Sequence, residues 1–196
     1  MNLNPWQQIK SLSVKPGAIA LILLMAATRF HHFGTPFALP DASLAVFFLG
    51  GLWLGGWALF VGLLMEAGLI DYLAISQFNV SDYCISPAYV FLIPTYAAMW
   101  FGGKWCAKFK SLSLNALLQQ FAALVLSTSA AFLISNGSFY LLSGRYTDLS
   151  WAQFFDGVGQ YYPPYLSSAA LYVAVIFAAV KMFRSLPPLN SGHKIA

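Results

Sequence analysis

A chain of 196 residues that is 59% hydrophobic and 8% charged, with a mean hydropathy of +0.69, carries too little charge to solvate a globule of its size. Soluble domains carry about 25% charged residues. The net charge of +4 comes from lysines and arginines that flank apolar runs, at Lys10/Lys15, Lys104/Lys108/Lys110 and Lys181/Arg184. That arrangement speaks against a nucleic-acid surface and reads as membrane topology.

Runs of about 20 apolar residues are long enough to cross a bilayer. Six such helices are expected in one integral membrane domain, over 17–33, 42–54, 56–75, 87–106, 113–142 and 160–184. The run from Gly17 to Thr28 follows two lysines, as in a signal peptide, but no A-x-A cleavage site follows it; a retained span is expected. The stretch 42–75 as one helix would measure roughly 50 Å, against a hydrocarbon core of about 30 Å. Gly50-Gly51 and Gly55-Gly56 offer a break, so two short spans joined near Gly55 are expected. Gly51-x-x-x-Gly55 is also a pattern that lets helix backbones approach closely. Glu66 falls mid-span, where a carboxylate is a functional candidate or the partner of a neighbouring helix. Pro94 is expected to kink the fourth helix and open room beneath Cys84. Gln120, Ser127 and Ser135 recur on the fifth span as polar groups between helices. The tail from Pro187 is short and polar.

Six spans with both termini in the cytoplasm place eight of the ten lysines and arginines inside, leaving Arg29 and Arg145 outside. Five spans with the N-terminus outside score seven against three. Cys84 lies on the outer side in both schemes and Cys106 on the inner, which argues against a disulfide between them. No internal repeat is visible. There is no P-loop, HExxH or GxSxG motif, and so no ATP site of that kind.

Under six spans the outer face gathers His31, His32, Asp41, Asp71, Asp82, Cys84, Tyr89 and the segment "GQYYPPYLSS". Thiol, imidazole and carboxylate are metal-ligand types, and thiolate with imidazole favours transition metals. The bland alternatives are a small hydrophobe at a helix start for Cys84 and a water-interface marker for the histidine pair. Tyr89, Ile93, Tyr96 and Trp100 fall on one helical stripe, and Tyr161, Tyr162 and Tyr165 open the sixth span. These aromatics serve either as an interfacial belt or as the wall of a pocket for a large flat ligand.

"TRFHHFGTPFALPDASLAVFFLGGLWLGG" and "DYCISPAYVFLIPTYAAMWFGGKW" together resemble the BtuM-type transporters, cobalamin importers of the bacterial inner membrane. These are similar to the S-component of energy-coupling-factor vitamin transporters, a six-helix bundle with an outward-facing ligand pocket. The resemblance covers residues 15–185 and is strongest from Thr28 to Trp105. It implies that Cys84 coordinates the cobalt of a corrinoid, with His32, Asp71 and Tyr89 beside it; His31, Tyr96 and Tyr162 complete the candidate ligand-binding set. Asp82 is expected to raise the thiol pKa and a protonated His32 to lower it. A lone outer-face thiolate meeting such a cobalt is further expected to displace an axial ligand already there, cyanide or the tethered base, so that transport includes a ligand exchange at Cys84. The expected partners are the corrinoid and the lipid bilayer. S-components that dock on an ATP-dependent energising module often carry Ala-x-x-x-Ala in the first span; no two alanines stand four apart between Gly17 and Phe33, which suits a solitary transporter. The alternative is an S-component-like transporter for another vitamin or a transition-metal ion.

Overall fold

The computed structural model describes residues 16–30, 39–109 and 113–185. Among them every regular element is helical: α1 (Pro16–Arg29), α2 (Ser43–Trp53), α3 (Trp57–Phe78), a 3₁₀ turn (Pro87–Phe91), α4 (Leu92–Cys106), α5 (Leu114–Leu142) and α6 (Trp151–Ser185).

Three helices are long and apolar enough to cross a membrane: α3, α5 and, in α6, the stretch Trp151–Val180. The other expected spans are shorter. α1 has 14 residues and α2 has 11, so α2 is only about 17 Å long. Yet α2 is the most enclosed element, with every residue from Ser43 to Gly51 buried. A helix apolar on all sides belongs in an interior. Here α2 is sheathed by α1, α4 and α6.

Chain packing explains the glycines. A Cβ on Gly51 would overlap the Trp100 carbonyl, and one on Gly103 would overlap the Phe48 carbonyl. α2 and α4 therefore cross backbone to backbone. The two glycines of Gly51-x-x-x-Gly55 do different things: Gly51 gives the close backbone approach, to α4, whereas Gly55, at φ +66°, makes the expected turn between α2 and α3. Only glycine adopts that left-handed conformation without steric cost. Two readings change. Pro94 lies in the first turn of α4, where no intrahelical N–H partner is lost, so it needs no kink. α6 begins at Trp151, nine residues before the expected 160, and carries Pro163 and Pro164 in its interior.

The core centres on Phe47, Leu49, Leu63, Met99 and Trp100, all fully buried. Phe47 stacks on Tyr96 at 4.2 Å between ring centres.

Candidate functional site

The antiparallel course of the helices brings the end of α1, the start of α2, the second half of α3, the 3₁₀ turn, the end of α5 and the start of α6 to one end of the bundle. They enclose a cavity of about 540 Å³, within the usual range for small-molecule sites of about 300–1,000 Å³. Its deep wall is ionic and its rim aromatic.

Arg29 organises the deep wall. Its side chain is 2% exposed and makes a two-pronged pair with Asp71, Nε to Oδ1 at 2.8 Å and Nη2 to Oδ2 at 2.7 Å. Nη1 donates to Ser43 Oγ at 2.9 Å, to Tyr96 Oη at 2.6 Å and to Asp41 Oδ2 at 3.3 Å. Ser43 Oγ in turn donates to Asp41 Oδ1 at 2.6 Å. Tyr89 Oη donates to Asp71 Oδ2 at 2.6 Å. One guanidinium thus joins α1, α2, α3 and α4 while both carboxylates keep hydrogen-bond donors. Buried charges are tolerated on those terms.

Cys84 stands exposed at the rim, in the loop between α3 and the 3₁₀ turn. The loop leaves α3 through Asn79, whose φ of +52° ends the helix with a backbone bond from Val80 N–H to the Ala74 carbonyl. It enters the 3₁₀ turn through Ser86, whose hydroxyl accepts from Ala88 N–H at 3.3 Å. Burial and then Asp71 push the Cys84 thiol up from its ordinary value, while Arg145 and Arg29 pull it down. Among the described residues the carboxylate acting on the thiol is therefore Asp71 from α3, in place of the expected Asp82, and the cations are arginines.

Asp71, Cys84, Tyr89 and Tyr96 come together on this cavity, as do Tyr161 and Tyr165. Tyr162 does not line it: its hydroxyl meets Ser129 Oγ at 2.6 Å and its ring packs edge-on against Phe132, between α5 and α6. The stripe through Tyr89, Ile93, Tyr96 and Trp100 is split. The 3₁₀ turn takes Tyr89 out of the register of α4; within α4 Ile93 is exposed and Trp100 lies in the core, so of the four only the two tyrosines reach the cavity. His31 and His32 lie outside the described residues. Among the described residues no three His, Cys, Asp or Glu side chains converge on a common metal position.

Several cavity residues carried no functional reading from the sequence. Arg29 read as a topology charge and Asp41 as a generic outer-face acid. Tyr83, Phe139, Tyr140 and Tyr146 form the aromatic rim. An ionisable residue at the end of an apolar run, followed by two acids in later runs, is the signal that points to Arg29. Glu66 stands on α3 with Oε2 buried and lacking a hydrogen-bond partner, so the expected bond to α5 is not made by that atom. Ser127 bonds within its own helix, to the Ala123 and Leu124 carbonyls, and seats Gly102 of α4 against it. Ser135 faces the cavity. Gln120 does link segments, donating to the Phe109 carbonyl at 2.9 Å.

No family model and no curated protein gave a match to the chain.

Proposed function

We propose that the protein binds and imports a corrinoid of the cobalamin type across a bacterial inner membrane, with the Cys84 thiolate as an axial ligand of the cargo's cobalt. The observation that carries this reading is the position of Cys84: a thiol at the open rim of an aromatic-walled cavity at one end of an apolar helical bundle. The residue pattern around it, similar to the BtuM-type transporters, supports the same assignment. A flat macrocycle suits aromatic walls, and its peripheral amides suit a deep wall rich in carboxylate and hydroxyl groups.

The chemistry balances without an oxidant. The Cys84 S–H bond breaks as the S–Co bond forms, the Co–C bond to cyanide breaks at that same coordination position, and the thiol proton departs with the cyanide as hydrogen cyanide. Cobalt keeps its oxidation state. A thiol whose ordinary pKa is raised by burial and by Asp71 is a poor anion alone; the cargo's metal charge drives deprotonation on contact.

The test is an absorption spectrum of the protein purified in detergent with cyanocobalamin and washed free of unbound vitamin. A retained corrin band, shifted in wild type and unshifted or lost in Cys84→Ala, is the expected result. A folded wild type that retains no corrinoid overturns the reading.

A further inference from the structure

We infer that Arg145 is a positioning residue for Cys84, strapping the Cys84 loop to the α5–α6 connection. This rests on the reading of Cys84 as the residue that meets the cargo. α5 ends at Leu142, and Gly144, at φ +70°, turns the chain before Arg145, whose side chain reaches Tyr83 in that loop. Its guanidinium carbon lies 4.6 Å from the centre of the Tyr83 ring. Nη2 donates to the Tyr83 carbonyl at 3.4 Å. Tyr83 is thereby held twice, through its ring and through its backbone, by a residue 62 positions further along the chain.

The rest of the rim supports the strap. The Tyr83 ring meets Phe139 of α5 at 5.6 Å. Tyr83 N–H donates to Ser81 Oγ at 3.2 Å, and Ile85 N–H to the Asp82 carbonyl at 2.8 Å, so the loop is also tied locally on both sides of Cys84. The carbonyl that Arg145 grips is the one whose peptide bond leads into Cys84. A cation over an aromatic face is favourable in this geometry, and the guanidinium fork supplies donor and stacking plane together.

The experiment uses full-length protein in detergent without corrinoid. Backbone hydrogen exchange of residues 81–86 is followed by mass spectrometry, beside iodoacetamide alkylation of the Cys84 peptide at one fixed pH. Arg145→Ala and Arg145→Gln should speed exchange of the loop about threefold and change the alkylation rate with it, whereas Arg145→Lys, which keeps a cation over the Tyr83 ring, should stay near wild type. Exchange and alkylation in Arg145→Ala that superimpose on wild type, or an Arg145→Lys no different from Arg145→Ala, overturn the inference. Neither measurement needs cargo, so a wild type that fails to bind cyanocobalamin sinks the transport reading and leaves this test intact.

Discussion

Arg29 places a full charge where 2% of its side chain meets solvent, and Asp71 is the partner that makes this tolerable. Breaking a buried pair from one side leaves the other charge uncompensated, at about 3–5 kcal/mol, whereas replacing both partners with apolar groups can be nearly neutral. Asp71→Ala should therefore cost about 3–5 kcal/mol in detergent unfolding, and Arg29→Met combined with Asp71→Leu should recover most of it. A double variant as unstable as the sum of the single ones would show that the pair adds nothing by itself. Cys84 poses the opposite problem, since a raised thiol pKa keeps it protonated at neutral pH. Ligation to cobalt releases that proton, so apparent corrinoid affinity should rise with pH, by about tenfold per unit below the thiol pKa, and then level off. A titration of the corrin band shift reads this directly; a flat profile would remove the thiolate from the binding step. That Asp71, Cys84 and Tyr89 would meet at one end of the bundle was legible because each stands at or near the same end of an apolar run. Arg29 was not, because a lone cation at a span end looks the same whether it meets water or two carboxylates.

Among the elements, α2 and α4 set the frame on which the cavity rests. Their contact leaves no room for side chains at Gly51 and Gly103, so the helices approach at backbone distance. Gly103→Ala should destabilise the protein by about 1–3 kcal/mol or more through overpacking. Gly62→Ala is the control: nothing lies within 4 Å of a Cβ there, and the change should be neutral or stabilise by up to about 1 kcal/mol through helix propensity. Equal thermal shifts for the two variants would refute the close crossing. The pairing of Gly51 with Gly103 was not legible, because the two lie on different helices and spacing reports only neighbours on one. The 3₁₀ turn had a similar effect. It took Tyr89 out of the register of α4, where Ile93, Tyr96 and Trp100 keep the helical spacing.

Over the whole molecule, charge distribution and cavity position make a joint prediction about sidedness. The expected six-span arrangement would put eight of ten lysines and arginines on one side and Cys84 on the other. A membrane-impermeant maleimide added to intact cells should label Cys84. Cys106 is fully buried and its Sγ donates to the Gln120 carbonyl at 3.7 Å, so it should stay unlabelled until the protein is denatured. Labelling of Cys84 only in inverted vesicles would reverse the orientation.

Composition alone settled that the chain builds apolar helices, because 8% charged residues cannot solvate a globule of this length. The break at Gly55 and the placing of Cys84 outside the apolar runs were equally local, since a turn and a polar loop are written in adjacent residues. Tertiary structure decided which apolar surface faces protein and which faces outward. It sent Trp100 into the core, set Tyr162 against Ser129, enclosed α2 and closed four helices around Arg29. In a water-soluble helix a polar face contrasts with the buried one. Where both faces are apolar that contrast is lost, and only the fold assigns the partners.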